Sequence, residues 1–359
     1  MKERTYYEEK NIENIKKQRE LEKELPHFVT TYFRGIEPYT ASKTRIAYAI
    51  DLKTFFEYIR TSNPMYSNQK INEFEFSILT TLEASDIEEY LQYLKYYVTS
   101  DGKEMTNSAV GIKRKLSAIR SMYNYFHTHK MINENPTLQV KMPKVHEKNI
   151  IRMDEKEVVQ FLNTVESGNQ LTKNQQMFHK KSKTRDLAIT TLLLGTGIRV
   201  SECVGLDLKD VDFNNDRINI VRKGGNESFV YFGKEVRNAL MDYFRERERM
   251  TPLTGHENAL FLSNRMKRIS VRNVEVLVKK YAMLVITTKK ITPHKLRSTY
   301  GTKLYKETGD IYLVADILGH TDVNTTRRHY AALEEERKQS VKNIVTLRES
   351  KSTEPNQIT

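Results

Sequence analysis

Four stretches in the second half of the chain bring together residue types that can act on a phosphodiester. They read "GTGIRVSE" (195–202), "VRKGGNE" (221–227), "TPHKLRSTYG" (292–301) and "LGHTDVNTTRRHY" (318–330). Each contributes one or two side chains that can bind phosphate, carry a proton or act as a nucleophile. These candidate site residues are Arg199, Lys223, His294, Arg297, His320 and Tyr330.

The six side chains together supply what the cleavage of a phosphodiester requires. Its transition state carries extra negative charge on the non-bridging oxygens, which two planar guanidinium groups, here Arg199 and Arg297, can bind in bidentate fashion. Histidine and lysine are suited to moving the protons of the nucleophile and of the departing sugar oxygen. A tyrosine hydroxyl has an ordinary pKa of about 10, so neighbouring cations must help Tyr330 to react.

Each of these residues, taken alone, also has an ordinary structural explanation. An arginine after glycine is commonly a surface or capping residue, a lysine beside Gly-Gly is commonly solvated, and His-x-x-Arg occurs by chance in many helices. The chain has 20 tyrosines, and Tyr300 and Tyr312 are the alternatives nearest these motifs. The hypothesis therefore depends on the order and local context of all four stretches.

Composition indicates a soluble protein with a polyanionic partner. The chain has 359 residues, enough for two domains, and its net charge of +13 favours nucleic acid. Most of the excess lies in residues 151–359, which hold 36 Lys/Arg against 26 Asp/Glu. No apolar run is long enough to span a membrane, and the charged N-terminus is not a secretory signal. The single cysteine, Cys203, fits a small buried residue in a reducing compartment, so we expect a cytoplasmic protein.

The stretch "NPTLQVKMPKVHEKNI" (135–150) predicts a boundary between two domains. Pro136 and Pro143 disfavour helix there, and the basic residues around them indicate an extended connector. The whole chain then divides into a charged helical extension (1–24), a helical DNA-binding domain (25–134), the basic linker (135–150), a catalytic domain (151–349) and a disordered tail (350–359).

Hydrophobic spacing predicts helices over 40–60, 85–98 and 107–131 in the first domain. Ser85 and Glu88 have the spacing of a capping box for the second of them. The third carries a basic cluster, which would either lie in a major groove of DNA or form a solvated face. The cluster consists of Lys113, Arg114, Lys115 and Arg120.

The second domain is predicted to be mostly helical with one small antiparallel sheet, an α+β arrangement. A helix over 153–167 precedes an apolar helix over 183–206 that breaks near Gly195–Gly197. Alternating residues in 209–235 indicate a hairpin turning at Gly224 and Gly225, the second and third strands of a meander. Further helices are predicted over 234–249, 271–284, 294–307, 310–318, 322–332 and 333–347.

The second domain resembles the catalytic domain of the tyrosine site-specific recombinases, the phage integrase and Xer family. That family shows an arginine in a Thr-Gly-x-Arg-x-Ser-Glu motif, a hairpin lysine, His-x-Leu-Arg, Leu-Gly-His and then a tyrosine, in this order. Here the motifs read "TGIRVSE", "RKGGNE", "HKLR", "LGH" and "HY". The stretch "LTKNQQMFHKKSKTRDLAI" (171–189) is similar to Firmicute single-protein Xer-like recombinases and related mobile-element integrases.

The resemblance implies a helical, SAM-like core-binding domain followed by a catalytic domain with the DNA breaking-rejoining fold. Arg199 and Arg297 would clamp the scissile phosphate, Lys223 would protonate the 5′-hydroxyl leaving group, and Tyr330 would be the nucleophile. His294 would assist proton transfer, His320 would hydrogen-bond the phosphate, and Glu202 would be a supporting residue.

The same resemblance implies how the reaction proceeds and with which partners. Tyrosine attack leaves a 3′-phosphotyrosine that keeps the bond energy, so no cofactor is expected, neither ATP nor a metal ion. The partners would be double-stranded DNA recombination sites, with four protomers on two sites, and an accessory protein is an open question. The last predicted helix, 333–347, would dock on a neighbouring protomer or pack on its own domain.

Two other functions were weighed against the recombinase. A type IB topoisomerase shares this chemistry but would relax DNA without sequence preference, and the Leu-Gly-His motif and the separate helical domain argue against it. A DNA-binding protein with a decayed site would have lost at least one of the six residues, and all six positions are filled. Within the recombinase hypothesis, the motifs do not separate chromosome-dimer resolution from integration or excision of a mobile element.

Overall fold

The structure, a computed structural model, describes residues 4–99, 101–145, 151–222, 225–320 and residue 323. Two of the predicted site residues, Lys223 and Tyr330, lie outside the described residues. So do the helix predicted over 333–347, the tail and, apart from Val323, the helix predicted over 322–332. The chain divides into two compact units, Met1–Lys148 and Asn149–Thr359. Within the part of the chain that the structure describes, no helix is both long and apolar enough to cross a membrane.

The first unit is a group of helices around an aromatic core. Its helices are α1 (Tyr6–Glu22), α2 (His27–Ile36), α3 (Ser42–Ser62), α4 (Ile78–Thr81), α5 (Ala84–Tyr93) and α6 (Ala109–Thr128). The fully buried rings include Phe33, Phe55, Phe56, Tyr123 and Phe126, and the partly buried Phe28 packs edge-on against two of them, Phe56 and Phe126. Complete burial of such a side chain contributes about 1.5–3 kcal/mol, so this core is the main source of the unit's stability.

Helix α1, in the segment predicted as an N-terminal extension, packs on α3 within the first unit. It begins at a capping box in which the Thr5 backbone N–H donates to Glu8 Oε2 at 2.7 Å. Further along, Gln18 is buried and its Oε1 accepts a hydrogen bond from Arg45 Nε at 2.7 Å. A buried polar contact of this kind fixes the register between the two helices.

The helix predicted over 85–98 is shorter than expected, because α5 ends at Tyr93. Its start is capped by Asp86, whose Oδ2 accepts the Glu83 backbone N–H at 2.7 Å, and not by Ser85 with Glu88. After α5, strand β1 (Tyr97–Val98) pairs antiparallel with β2 (Glu104–Met105). Gly102 has a φ of +77° in the turn between them, which glycine adopts readily.

Three of the four residues in the basic cluster of α6 make contacts within the fold of the first unit. Lys115 Nζ and Arg114 Nη2 contact Oδ1 of the fully buried Asp51 at 3.1 and 2.8 Å. Arg120 donates to the backbone carbonyls of Thr137 and Val140. Lys115 is buried, so it belongs neither to a solvated face nor to a surface that could enter a DNA groove, and whether the helix itself lies in a groove stays a prediction.

Replacing Asp51 by alanine is expected to destabilise the first unit by about 3 kcal/mol, because it leaves the buried Lys115 ammonium without its carboxylate. Burial raises the pKa of Asp51, and the two cations oppose that shift. Urea denaturation followed by circular dichroism measures the loss. Lys113→Ala, on the exposed side of the same helix, is the control and should change stability by less than about 0.5 kcal/mol. Equal stability of the two variants would contradict this reading of the ion pair.

The segment predicted as an extended linker begins as part of the first unit. Residues Pro136–Leu138 form a short 3₁₀ helix, started by Asn135, whose Oδ1 accepts the Thr137 backbone N–H at 3.1 Å. Thr137 and Val140 are buried. Proline at the first position of a helical turn is compatible with helix, which is why Pro136 does not extend the chain here.

The second unit combines helices with a three-stranded antiparallel meander. The helices are α7 (Glu155–Ser167), α8 (Lys173–Thr196), α9 (Val200–Gly205), α10 (Lys234–Arg247), α11 (Val271–Val285), α12 (Pro293–Thr308) and α13 (Ile311–Leu318). Strands β3 (Val211–Asp212), β4 (Arg217–Val221) and β5 (Glu227–Tyr231) are ordered along the sheet as in the chain. The predicted fold class, mostly helical with a small antiparallel sheet, is confirmed.

Helix α8 is the longest element that leads into the site, and it begins earlier than predicted. A capping box of Thr172 and Gln175 starts it at Lys173. The buried Asp186 ties its middle to α11, because Tyr281 Oη donates to Asp186 Oδ2 at 2.9 Å. Arg185 donates to Asp186 Oδ1 as well and also to the Leu262 carbonyl. These contacts fix the axis of α8 and thus the position of its C-terminal end.

Candidate active site

Gly197 ends α8 and allows the chain to turn towards Arg199. Its φ is +64°, and its backbone N–H donates to the Leu193 carbonyl at 3.1 Å. A Cβ at this position would lie 2.4 Å from Tyr300 Cδ1 and 3.0 Å from Leu318 Cδ2. Glycine is therefore required for both the backbone conformation and the close approach of α12 and α13.

Arg199 is the N-cap residue of α9 and is held by Glu202 one turn later. The Arg199 backbone N–H donates to Glu202 Oε2 at 2.7 Å, and Arg199 Nη1 donates to Oε1 at 2.9 Å. The other guanidinium nitrogen, Nη2, donates to the Gly319 carbonyl at 2.9 Å. Glu202 is only 3% exposed, so this carboxylate compensates the arginine charge from inside the protein.

Arg297 reaches the same place from α12. It is 5% exposed, and its Nη1 donates to the Gly197 carbonyl at 2.6 Å. Its Nη2 donates to the Leu318 carbonyl. The two arginines predicted to clamp phosphate are thus brought together by the structure at the end of α13.

A third arginine, which the sequence analysis did not select, joins them. Arg222 Nη2 donates to the Ile317 carbonyl at 2.9 Å. The consecutive carbonyls of Ile317, Leu318 and Gly319 each accept from a different arginine. The C-terminal end of a helix carries a partial negative charge, which favours this concentration of cations. The signal that could have revealed Arg222 is its position directly before the Gly-Gly turn.

The two candidate histidines lie on the elements that carry these contacts. His294 is exposed in the first turn of α12, three residues before Arg297, and its carbonyl accepts from Ser298 Oγ. His320 follows Gly319 at the end of α13 and is half-buried, and its backbone N–H donates to the Ala315 carbonyl at 2.9 Å.

Although Lys223 is outside the described residues, the hairpin on either side of it is defined. β4 ends at Val221 and β5 begins at Glu227, with Val221 opposite Glu227. The Arg222 backbone N–H donates to the Asn226 carbonyl at 2.8 Å. The chain therefore leaves and re-enters the sheet next to Arg222.

The alternative tyrosines have surroundings unsuited to a nucleophile. Tyr300 packs against Gly197, and burial raises the pKa of its hydroxyl. Tyr312 is 71% exposed in the first turn of α13, at the opposite end from the arginines.

No group of three or more His, Cys, Asp or Glu side chains within the described ranges is arranged to hold a metal ion. The Glu202 carboxylate pairs with Arg199.

Cys203 lies in α9 beside Glu202 and is fully buried. Burial raises the pKa of its thiol, with the Glu202 charge as a smaller cause. We expect Ellman's reagent to leave the native protein unmodified and to react with one thiol per chain after unfolding. Rapid reaction of the folded protein would contradict the burial of this side chain.

The sequence of the chain is similar to those of known proteins. The model of the phage integrase family matches residues 151–337. Tyrosine recombinase XerC of Caldanaerobacter subterraneus subsp. tengcongensis is 31% identical over 318 residues, which are 86% of this chain and 81% of that protein. Tyrosine recombinase XerS of Streptococcus agalactiae is 31% identical over 347 residues, 90% of this chain and 96% of that protein.

Solved structures share the fold. XerH recombinase in a post-cleavage complex with a palindromic difH substrate aligns with a TM-score of 0.61 at 19% identity, covering 84% of this chain and 80% of that one. The Tn1549 transposon integrase, in complex with a circular intermediate DNA, aligns with a TM-score of 0.60 at 19% identity, covering 85% and 98%.

The chain belongs to the phage integrase family. It is a tyrosine recombinase, and the family resemblance drawn from the sequence is confirmed. The relatives and structures named above are recombinases and integrases, and none of them supports the topoisomerase alternative.

Proposed function

We propose that the protein recombines specific DNA sites through six residues: Arg199, Lys223, His294, Arg297, His320 and Tyr330. The observation that carries the proposal is the convergence of Arg199 and Arg297 on the α13 end, next to His320. Two guanidinium groups fixed in this way are suited to the two non-bridging oxygens of one phosphate.

The reaction is a transesterification in two steps. The Tyr330 hydroxyl passes its proton to a base, with His294 assisting, and attacks the phosphorus. The bond to the 5′-oxygen breaks, and Lys223 delivers a proton to that oxygen. The product is a 3′-phosphotyrosine and a free 5′-hydroxyl. A 5′-hydroxyl from a partner strand then attacks the phosphotyrosine, which restores the phosphodiester and the tyrosine.

The arginines stabilise the charge that develops on the phosphate in both steps. Their hydrogen bonds to carbonyls and to Glu202 hold them in place before DNA binds, so that little reorganisation is needed in the transition state. His320 and His294 complete the donor set, with His320 on the phosphate and His294 assisting the transfer of protons.

The substrate in this proposal is double-stranded DNA, bound by four protomers on two recombination sites. The excess of basic residues in the chain, with a net charge of +13, supports an interaction with DNA phosphates. The XerH and Tn1549 integrase structures were solved with DNA bound, which supports the same partner.

Nicked suicide DNA tests the proposal. The nick lets a short strand diffuse away after cleavage, so the covalent intermediate accumulates and is seen on a denaturing gel. With EDTA present, we expect an adduct on particular DNA and none on unrelated DNA. Substrates drawn from chromosomal sites and from element ends show which of the two biological uses applies. Adduct formation on any DNA would instead indicate a relaxing enzyme.

A further inference from the structure

Arg222 belongs to two elements of the site at once. Its backbone closes the base of the hairpin turn, because its N–H donates to the Asn226 carbonyl at 2.8 Å and its carbonyl accepts from the Gly225 N–H at 3.1 Å. Its side chain leaves the hairpin and donates from Nη2 to the Ile317 carbonyl on α13 at 2.9 Å. The residue that follows it in the chain is Lys223.

The contact is held at an energetic cost. Arg222 Nη1 is buried without a hydrogen-bond partner among the described residues. Burial lowers the pKa of the guanidinium, Glu202 and Asp316 oppose that shift, and the nearby Arg199 adds to it. A buried donor without a partner is unfavourable, so general stabilisation of the fold is a poor explanation for an arginine here.

Gly319 provides the space for this side chain. Its φ is +59°, and a Cβ there would lie 2.3 Å from Arg222 Nη1 and 2.7 Å from Cζ. The guanidinium therefore lies directly against the backbone of Gly319, whose carbonyl accepts from Arg199 and whose neighbour is His320.

We propose that Arg222 is a positioning residue that ties the hairpin turn carrying Lys223 to the end of α13 carrying His320. It acts through Lys223: without the tie, the strand end that leads to Lys223 is no longer held to α13, and delivery of a proton to the 5′-oxygen becomes slower. The inference rests on the proposed function, in which Lys223 protonates that oxygen.

The test compares two nicked DNA substrates that differ in one atom. In the first, the scissile bond joins phosphorus to the ordinary 5′-oxygen, and in the second the bridging oxygen is replaced by sulfur. A thiolate is a much better leaving group than an alkoxide, because a thiol has a pKa of only about 8.5. Cleavage at sulfur therefore does not need a proton from Lys223.

We expect Arg222→Ala to cleave the oxygen substrate about tenfold to a hundredfold more slowly than the wild type, as for a catalytic group displaced by about 1 Å. On the sulfur substrate its rate should return to that of the wild type, with DNA affinity unchanged on both. Arg222→Lys keeps a donor and a charge, so its loss on the oxygen substrate should be smaller and should also disappear on sulfur.

Arg217→Ala is the matched control. Arg217 begins β4, the strand that leads to Arg222. It pairs with Asp212 on β3 and stacks over Phe229 on β5, so both contacts stay within the sheet. This variant should cleave both substrates at the wild-type rate. Thermal unfolding of all variants shows whether Arg222→Ala folds, and if it does not, Arg222→Lys carries the comparison.

Equal losses on the two substrates would overturn the inference, because Arg222 would then act on the phosphate or on the fold and not through Lys223. Wild-type rates for Arg222→Ala on oxygen would overturn it as well. Lys223→Ala separates this failure from a failure of the proposed function. If sulfur rescues Lys223→Ala but not Arg222→Ala, only the role of Arg222 falls. If sulfur does not rescue Lys223→Ala, the proposed role of Lys223 falls and the inference with it.

Discussion

Replacing Tyr330 by phenylalanine is expected to abolish covalent cleavage of DNA while binding persists. The change removes the one oxygen that attacks phosphorus and leaves the ring, the arginines and the basic surface of the protein in place. Without a nucleophile, no phosphotyrosine can form, whatever the stabilisation of the transition state. Adduct formation on nicked DNA measures cleavage, and a gel-shift titration on the same DNA measures affinity.

Two other tyrosines provide controls for this experiment. Tyr312→Phe changes an exposed hydroxyl at the far end of α13, and Tyr300→Phe changes a half-buried one beside Gly197. Both variants should form the adduct at the wild-type rate. An adduct formed by Tyr330→Phe would refute the assignment of the nucleophile, and its loss in either control would point to that tyrosine instead.

Replacing Arg297 by lysine is expected to slow cleavage by roughly 10²–10³-fold, the effect of removing one donor from a site that stabilises an anionic transition state. Lysine keeps the positive charge but cannot reproduce the planar pair of donors that fits two phosphate oxygens. Single-turnover cleavage of nicked DNA gives the rate, and the affinity for uncleaved DNA should change far less than the rate.

The structure requires one further measurement for this variant. Arg297 also donates to the carbonyls of Gly197 and Leu318, so its loss could loosen the end of α13. Thermal unfolding of the variant separates a chemical loss from an unfolded site. Arg272→Lys, at a side chain that is 79% exposed on α11, should leave both rate and stability unchanged. Cleavage by Arg297→Lys at nearly the wild-type rate would argue against a phosphate clamp.

Helices α3, α6 and α7 followed from hydrophobic spacing because each has one face against a core, whereas the short helices α2 and α4 were not predicted. Helix α6 begins after Ser108 and α7 after Asp154, and in both cases the capping side chain accepts a backbone N–H within the first turn. The short strands β1 and β2 were not predicted, because a strand of two residues is too short to show an alternation of polar and apolar side chains. The Asp-Gly dipeptide at 101–102 was the remaining signal for that turn.

Capping rules also limited the prediction of helix ends. Glu83 with Asp86 and Ser85 with Glu88 have the same spacing, and the sequence does not say which pair begins the helix. Thr172 and Gln175 have the spacing of a capping box, but the residues after them are mostly polar and show no hydrophobic spacing, so the first three turns of α8 were not predicted. The predicted helix therefore began near residue 183.

The candidate site was predicted from residues that match motifs. For this reason Arg199 and Arg297 were predicted and Arg222 was not. Arg199 and Arg297 were chosen far apart in the chain, and the structure brings both to the end of α13. Arg222 matched no motif, and its importance depends on a contact with Ile317, 95 residues away. The roles of all six predicted site residues remain predictions, which the variants above test.

The burial of Cys203 has a practical consequence for observing this protein at work. The one cysteine of the chain is buried, so thiol-reactive fluorescent dyes would label only surface cysteines that are introduced by mutation. Tyr39 and Phe178, which are 73% and 61% exposed, offer one such position in each unit. Energy transfer between dyes at these positions would follow the distance between the two units as DNA binds, in single molecules and without removing a native residue from the site.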